Sequence, residues 1–392
     1  MSRTAIDGAR IFDGETFHQD HALLLEGDRI AGLCRAGEIP SDAEVVKADG
    51  LTIAPGFIDL QVNGGGGVLF NNDPTVGGIA RICAAHAQYG TTSLLVTLIT
   101  DTPELTATAI AAGVESQSVH VPGYLGLHIE GPHLSLARKG THDPALIRPM
   151  APEDLERLRA AGGRFGEALI TVAPESVTPG QVRALVAAGY KVSLGHTDST
   201  AQTVLAYVEA GASLVTHLFN AMSQLGNREP GVVGAALSSG ALSCGLIADG
   251  FHVDPISMSV ALKAKQGPGR IFLVTDSMST IGSDDDGLVL NGRQVYRGGG
   301  RLTLADGTLA GADIDMLSCV RNAHHMLGLD LGEALRMASL YPADAIGARH
   351  KGRIAVGCDA DFVMLGPDLT LHSTYIAGKR VFGTSPQKER AS

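Results

Sequence analysis

Residues 191–217, KVSLGHTDSTAQTVLAYVEAGASLVTH, contain the pattern on which the fold prediction rests. The short apolar run Lys191–Leu194 predicts a strand, Thr200–Ala210 has helical spacing, and Ser213–Val215 predicts a second strand. A strand, a helix and a strand in this order predict two parallel strands joined by a helical crossover. A histidine stands two residues after the end of each strand.

The same alternation extends over much of the chain. Eight such units in roughly 250 residues are the number found in a (β/α)8 barrel, so we predict an α/β protein with a TIM-like barrel. A doubly wound open sheet is the alternative, but no GxGxxG follows the first strand and no GxxxxGK[ST] occurs in the sequence. The eight predicted strands are Phe57–Leu60, Ser93–Leu98, Tyr124–Ile129, Ala168–Val172, Lys191–Leu194, Ser213–Val215, Ser243–Ile247 and Ile271–Val274.

Both ends of the chain show strand and turn patterns instead. Ala22–Leu25 and Arg29–Leu33 flank a Glu-Gly-Asp turn, which is typical of a hairpin. We therefore predict a small β-sandwich domain formed from residues 1–53 and 351–392, and a barrel domain over 54–350.

A Gly- and Asp-rich segment near 282–311 interrupts the barrel pattern after the last strand. Strand-like pieces at Leu288–Leu290 and Arg301–Leu304 predict a β insertion. Helical patterns resume at Asp313–Leu327 and Leu331–Leu340.

Composition excludes several classes of protein. The chain has 392 residues, a net charge of −11 and 44% hydrophobic residues, so it is not disordered, and the charge disfavours nucleic acid and anionic membranes as partners. The five cysteines are scattered without a CxxC pair, which is typical of reduced thiols and predicts a cytoplasmic protein. The sequence shows neither a signal-peptide pattern nor a run long enough for a transmembrane helix.

Side chains that can bind a metal follow five of the predicted strands. In a barrel, the carboxyl ends of the strands converge on one face, where active sites lie. Histidines and a carboxylate suit a divalent ion such as zinc. Each residue alone could be structural, but five coincident placements favour a site. The residues are Glu130, His133, His196, His217, Asp249, His252 and Asp276.

The first strand indicates how many metals to expect. Many metal hydrolases on this barrel have His-x-His at its end, whereas this chain has Gln61 and Asn63 there. Amides are poorer ligands than imidazoles, and no lysine follows the fourth strand to bridge two ions. We therefore predict one divalent metal, zinc, with Fe²⁺, Co²⁺ or Mn²⁺ as alternatives.

An ordered set of motifs resembles the N-acetylglucosamine-6-phosphate deacetylase family of the amidohydrolase superfamily. Any one motif is weak, but together they run in order from about residue 50 to 311. The resemblance implies the same barrel with a β-sandwich, and hydrolysis of the acetamide of an amino-sugar phosphate. The motifs are PGFIDLQVNG (55–64), LHIEGP (127–132), KGTH (139–142), GHT (195–197), THLFNAM (216–222), REPG (228–231), DGFHVD (249–254), LVTD (273–276) and GTLAG (307–311).

The resemblance also implies roles for particular residues. Asp276 would be the general base and acid, and His142 would contact the scissile acetamide. Arg228 would reach the phosphate across a homodimer interface. The implied metal ligands are Glu130, His196 and His217, and the further substrate contacts are Gln61, Asn63, Asn220, Ala221, His252 and Leu309.

Alternatives remain at this stage. Arg228 could be a surface residue paired with Glu229, and His142 could be structural. Residues 223–227, next to the phosphate loop, leave open whether N-acetylgalactosamine 6-phosphate is the substrate. A cyclic-amide hydrolase is disfavoured by the first strand, and a silent binding barrel is disfavoured by the presence of Asp276.

Overall fold

The structure is a computed structural model, and it describes residues 3–384 and 388–389. The chain begins with short strands joined by tight turns. The predicted hairpin at residues 22–33 is confirmed as β4 and β5, which pair antiparallel. The strands are β1 (Arg3–Asp7), β2 (Arg10–Phe12), β3 (Phe17–His18), β4 (His21–Glu26), β5 (Arg29–Arg35), β6 (Glu44–Lys47) and β7 (Thr52–Pro55), with a 3₁₀ turn at Ala36–Glu38.

The predicted barrel is confirmed, because eight parallel strands pair in chain order in one sheet. A two-stranded hairpin, β9 (Gly64–Gly65) and β10 (Val68–Leu69), follows the first barrel strand. The barrel strands are β8 (Phe57–Val62), β11 (Thr91–Ile99), β12 (Tyr124–Glu130), β13 (Glu167–Val172), β14 (Tyr190–Leu194), β15 (Ala212–Val215), β16 (Ser243–Leu246) and β17 (Ile271–Leu273).

The barrel closes at the carboxyl ends of its first and last strands. Val62 and Ser277 form a parallel bridge just beyond β17. The backbone N–H of Asn63 donates to Ser277 O over 2.9 Å, and that of Asp276 donates to Gln61 O over 3.0 Å. This closure places the end of β8 beside Asp276 and excludes the open-sheet alternative.

Helices surround the barrel, and side-chain caps begin most of them. Thr75, Thr102, Thr178, Thr200 and Asp254 each accept a hydrogen bond from a backbone N–H of the first turn. The helices are α1 (Val76–Ala87), α2 (Pro103–Ser118), α3 (Pro152–Ala161), α4 (Pro179–Ala187), α5 (Ala201–Glu209), α6 (Gly231–Ser238) and α7 (Pro255–Ala264), with a 3₁₀ turn at Leu136–Arg138.

The predicted insertion contains more strands than the sequence indicated. It is a four-stranded antiparallel sheet formed by β18 (Gly287–Leu290), β19 (Arg293–Gly298), β20 (Arg301–Thr303) and β21 (Leu309–Ala312). Neither β19 nor β21 was predicted. In β19, only Val295 of the six residues is buried. Such a strand has no alternating apolar pattern.

The helix predicted at Asp313–Leu327 begins later than expected. Asp315 caps the helix by accepting from the backbone N–H of Ser318, so the helix starts at the next residue. Its end becomes a π-helical turn at Asn322–Met326. The helices after the insertion are α8 (Met316–Arg321), α9 (Leu331–Ala338) and α10 (Leu340–Ile346).

Both ends of the chain contribute to two sheets outside the barrel. One has the order β25-β6-β1-β4-β5 and the other β24-β23-β22-β7-β2-β3, where the last strands are β22 (Phe362–Leu365), β23 (Leu371–Ile376), β24 (Lys379–Gly383) and β25 (Lys388–Glu389). One apolar cluster joins the sheets: Ile6 and Leu23 of the first pack with Ile53 and Phe362 of the second. Residues 1–2, 385–387 and 390–392 of the predicted sandwich lie outside the described residues.

No helix within the described ranges is long and apolar enough to cross a membrane.

Candidate active site

A cavity of about 170 Å³ opens at the carboxyl ends of the barrel strands. It brings together ten of the twelve residues to which the resemblance assigns a role, while Gln61 and Arg228 do not line it. Two further strand-end candidates, His133 and Asp249, do not line it either. The ten are Asn63, Glu130, His142, His196, His217, Asn220, Ala221, His252, Asp276 and Leu309.

Glu130, His196 and His217 converge in this cavity, and each is at most 5% exposed. His217 Nε2 lies 3.2 Å from Glu130 Oε1, and His196 Nε2 lies 3.3 Å from the same oxygen. The two Nε2 atoms are 3.1 Å apart. Burial alone would raise the pKa of Glu130, but its hydrogen bonds with the two histidines outweigh burial and hold that pKa well below its usual range.

These three distances fit a single metal ion. Two ligands of a tetrahedral zinc lie about 3.3 Å apart when the metal–ligand bonds are about 2.0 Å. His196 Nε2 and His217 Nε2 lie 3.1 Å apart, and both face Glu130 Oε1. Two imidazole nitrogens and a carboxylate oxygen are a donor set that suits zinc, so the residues fit a divalent metal.

The neighbours of His196 fix the tautomer that a ligand needs. Its Nδ1 lies 2.8 Å from the carbonyl oxygen of Arg138. A carbonyl only accepts, so we assign the ring proton to Nδ1, which leaves the Nε2 lone pair free. Nε2 is the atom that faces Glu130 and His217.

His142 is a second candidate for the third ligand. It forms a compact acid–histidine group with Glu130 and His196. Its Nδ1, however, receives a hydrogen bond from the backbone N–H of Thr100 at 3.4 Å and lies 2.7 Å from Thr100 Oγ1. A nitrogen that accepts carries no proton, so the proton is on Nε2. That nitrogen is then a donor, and we favour His217 over His142 as the ligand.

The environment of His142 keeps it neutral. Burial, followed by the charge of the neighbouring His196, lowers the pKa of this imidazole to about 3. A neutral ring with a proton on Nε2 can donate a hydrogen bond into the cavity. This is the group that a developing oxyanion requires.

Asp276 follows β17 and is held by groups from the first strand. Asn63 Nδ2 donates to Asp276 Oδ1 over 2.8 Å. Burial, followed by the charge of Glu130, raises the pKa of Asp276. The side chain therefore combines an ionisable carboxyl with a fixed orientation, as proton transfer requires.

A buried carboxylate, Asp59, supports this region from within the barrel. It accepts hydrogen bonds from Thr275 Oγ1 at 2.6 Å and from the backbone N–H groups of Thr275 and Gln61. Its burial raises its pKa to about 7. Sequence analysis did not select Asp59, because an acidic residue inside a strand pattern gives no signal of its partner 216 positions away.

Four site residues have backbone angles that side chains rarely adopt. The φ values are 48° for His196, 28° for His217, 49° for Ala221 and 52° for Asp276. Left-handed non-glycine residues are strained and cluster at functional sites. All four residues line the cavity, and His196, His217 and Asp276 come within three residues of the end of a barrel strand.

The side-chain amide of Gln61, in the first barrel strand, contacts a candidate metal ligand and does not line the open cavity. Its Nε2 donates to Glu130 Oε1 over 3.2 Å, and the residue is 2% exposed. The structure thus places Gln61 behind the candidate metal ligands, where it orients Glu130.

His252 also lines the cavity, and its ring is fixed by a neighbouring carboxylate. Its Nδ1 is 2.6 Å from Asp249 Oδ2, and Asp249 also accepts from the backbone N–H groups of Phe251 and His252. The other ring nitrogen remains available to a ligand. Asp249 was selected from the sequence only as a strand-end residue, without a role. Its spacing of three residues from His252 is the sequence signal that could have predicted this side-chain pair.

Arg228 lies outside the cavity on the exposed surface. Glu229, its suggested partner, instead accepts from the backbone N–H groups of Ala201 at 2.8 Å and Gly231 at 3.0 Å. Within the described part of the chain, Arg228 forms no ion pair.

Comparisons with known proteins decide the family. The profile of the amidohydrolase family matches residues 52–381. The chain belongs to the amidohydrolase family.

Several of the similar amidohydrolases are named as sugar-phosphate deacetylases. The chain is 43% identical to an N-acetylgalactosamine-6-phosphate deacetylase from a Shewanella species, over 96% of this chain and 95% of that one. It is 34% identical to the N-acetylglucosamine-6-phosphate deacetylase of Haemophilus influenzae, over 92% and 94% of the two chains. The crystal structure of the Pasteurella multocida N-acetylglucosamine-6-phosphate deacetylase matches with a TM-score of 0.93 and 36% identity, over 96% and 99%.

Proposed function

We propose that this amidohydrolase removes the acetyl group of N-acetyl-D-glucosamine 6-phosphate, giving D-glucosamine 6-phosphate and acetate. The observation that carries the proposal is the triangle of Glu130, His196 and His217 beside an oriented carboxyl at Asp276. The printed names of the similar proteins support the same reaction class.

One divalent metal, which we propose to be zinc with Fe²⁺, Co²⁺ or Mn²⁺ as alternatives, would be held by Glu130, His196 and His217. When bound, such an ion acts as a Lewis acid. It lowers the pKa of water so that hydroxide is available near neutral pH, and it polarises a carbonyl. The acidic ligand and two neutral imidazoles leave net positive charge at the site.

Asp276 moves the proton in this scheme. Its ionised carboxylate takes a proton from the attacking water as the new C–O bond forms at the acetamide carbon. It then delivers that proton to the nitrogen as the C–N bond breaks, so the sugar leaves as a neutral amine. Asn63 keeps Oδ1 of this carboxylate in place during both transfers.

His142 stabilises the charge that develops on the carbonyl oxygen. Thr100 holds its Nδ1, so Nε2–H points its proton towards the cavity and donates to the oxyanion. The imidazole stays neutral throughout because its pKa lies near 3.

The phosphate binds at the end of the cavity that Asn220, Ala221 and His252 line. Asp249 fixes the ring of His252, so its free nitrogen can contact a phosphate oxygen. We further propose that the enzyme is a homodimer in which Arg228 reaches the neighbouring phosphate. Its exposed position, with no ion-pair partner among the described residues, supports this assignment.

A two-variant experiment tests the shared site. If both residues are needed, dimers of Arg228→Ala chains and dimers of Asp276→Asn chains are both inactive. A mixed dimer has two sites, and one of them contains neither change, so the mixed dimer is active. Activity should return after subunit exchange. No recovery, when exchange is proven by a tag pull-down, would show that Arg228 does not serve the partner.

N-acetylgalactosamine 6-phosphate is the second candidate substrate. The 43% identity with a deacetylase of that name favours it, since the glucosamine-type relatives quoted above are 34% and 36% identical. Measuring kcat/KM for both epimers on one preparation decides between them. Because the other two similar proteins quoted above are N-acetylglucosamine-6-phosphate deacetylases, we expect the glucosamine substrate to give the higher value. A higher value for the galactosamine substrate would reverse the assignment.

The proposed location is the cytoplasm. All five cysteines are free in the structure, as expected where thiols stay reduced. Fractionation of the native cells with an antibody to the chain would test this.

A further inference from the structure

A second cavity lies on the outer wall of the barrel, between helices α2 and α3. Its volume is about 240 Å³, which exceeds that of the active-site cavity. Helix α1 packs on α2, and α3 packs on α4. The cavity occupies the gap between these two pairs, and no step of the proposed reaction uses it.

The floor of this outer cavity is apolar. Ile110 of α2, Ile129 of β12 and Leu158 of α3 contribute to it, together with Ala161. Ile129 and Leu158 are at most 5% exposed. The hydrophobic effect favours an apolar body on such a surface, because water in contact with it is released.

The rim of the outer cavity is cationic. It contains three arginines, Arg148, Arg157 and Arg164, and one acidic residue, Asp154. Asp154 binds Arg148 at 3.1 Å and reaches Arg157 only at 4.0 Å. Arg164 has no ion pair within the described residues. Positive charge therefore exceeds negative charge here, in a protein whose net charge is −11.

The combination of floor and rim selects one chemical class of ligand. A carboxylate suits the guanidinium groups, which bind it with paired hydrogen bonds. An aliphatic or aromatic body suits the floor. A sugar phosphate would leave the apolar floor uncovered, and an uncharged hydrocarbon would leave the arginines without a counterion.

The outer cavity also touches the strand that carries a candidate metal ligand. Ile129 and Gly131 line the outer cavity, whereas Glu130 between them lines the active-site cavity. Neighbouring residues of a strand point to opposite faces. A ligand in the outer cavity therefore contacts the chain on both sides of Glu130.

We propose that the cavity between α2 and α3 binds a small amphiphilic carboxylate, and that its occupancy lowers the turnover of the enzyme. The direction follows from the geometry of the active site. Glu130 is already within 3.3 Å of both histidine nitrogens, so a shift of the strand in either direction moves it away from a prearranged position. Small misplacements of catalytic groups reduce rates.

Octanoate is the probe for a binding test by calorimetry on the full-length, metal-loaded enzyme. We expect saturable binding at one site per chain, weaker binding of 1-octanol, and no binding of inorganic phosphate at this cavity. The double variant Arg157→Ala/Arg164→Ala should weaken octanoate binding about tenfold. Equal binding of octanoate and 1-octanol would remove the role of the arginines and overturn the proposal.

A matched pair of variants on α2 tests the location. Ala107 and Ala111 are both exposed, but only Ala107 lines the cavity. Ala107→Phe should block octanoate binding, whereas Ala111→Phe should leave it unchanged. Neither change touches the core, and thermal unfolding checks that both variants fold. Unchanged binding in Ala107→Phe would place octanoate elsewhere.

The coupling to turnover rests on the proposed function, and its measurement is separate. Saturating octanoate should lower kcat by two- to tenfold in the native chain and in Ala111→Phe, and should not affect Ala107→Phe. Binding without a change in kcat would overturn the coupling. If the native chain deacetylates neither sugar phosphate, the proposed function fails, while the calorimetric comparison still decides the binding site.

An alternative occupant is a second copy of the chain. Sedimentation with and without octanoate distinguishes the two cases. We expect the same oligomeric state in both, and dissociation by octanoate would show that the cavity is a subunit interface and overturn the proposal.

Discussion

Asn63 at the end of the first barrel strand donates a hydrogen bond to Asp276, 213 residues later, over 2.8 Å. Backbone bonds between the same two chain segments close the barrel. The residue that we assign to proton transfer is therefore oriented by the same contacts that complete the fold.

We expect Asp276→Asn to lower kcat by about 10²–10⁴-fold, the contribution of general acid–base catalysis. Asparagine keeps the size of the side chain but cannot take a proton. Metal content and KM should stay near their native values. A drop below a hundredfold would indicate that Asp276 only orients its neighbours, and loss of metal would make it a ligand.

Asn63→Ala should shift the pH dependence of kcat. The hydrogen bond from Asn63 lowers the pKa of Asp276 against the raising effect of burial. Without this donor the pKa of Asp276 rises. Because the ionised carboxylate is the active base, activity then begins to fall at a higher pH when the solution is acidified. The acid limb of the kcat profile should move upward while the alkaline limb stays in place. An unmoved acid limb would mean that Asn63 does not act on Asp276.

His217→Ala and His142→Ala should differ in metal content. If His217 is the third ligand, its variant loses most of the metal, as His196→Ala also should. His142→Ala should keep the metal and lose kcat, because it removes only a donor to the oxyanion. Elemental analysis of the purified variants measures this. The reverse pattern would assign the third ligand to His142.

Metal affinity should fall as the pH is lowered. In the metal-free protein, burial alone would lower the pKa of His217, but the hydrogen bond and charge of Glu130 outweigh burial and raise that pKa. A raised pKa means that His217 keeps its proton to a higher pH, and a metal must displace that proton to bind. Calorimetry in buffers of different ionisation enthalpy should detect proton release on binding at pH 6. Binding without proton release would contradict the assignment.

Gly126→Ala should destabilise the barrel. A Cβ at this position of β12 would lie 2.0 Å from the backbone oxygen of Glu167 in the neighbouring strand. We expect a loss of about 1–3 kcal/mol in the free energy of unfolding, typical of overpacking. Gly37→Ala is the control, because its Cβ would meet nothing within 4 Å. Equal stability of the two variants would show that β12 and β13 pair less closely than described.

The sequence predicted the strand ends because apolar runs and the polar residues after them lie next to each other in the chain. Glu130, His196, His217 and Asp276 could be selected in this way. The division into domains at residues 53 and 351 stays a prediction. Pairs that depend on closure, such as Asp59 with Thr275, could not be predicted, since nothing local relates residues so far apart.

The outer cavity and β19 could not be predicted from the sequence for a different reason. A gap between α2 and α3 results from the angles at which helices pack, and the amphipathic pattern of each helix does not specify those angles. In β19 the pairing comes from backbone hydrogen bonds with both neighbouring strands, which a mostly polar sequence does not reveal.

A titration of metal-free enzyme with zinc tests the central claim most directly. Acetate release from N-acetylglucosamine 6-phosphate is followed as zinc is added to chelated protein of known concentration. The account predicts almost no activity without metal, a linear rise, and a plateau at one zinc per chain. Full activity in the chelated protein, or a plateau at two ions per chain, would contradict it.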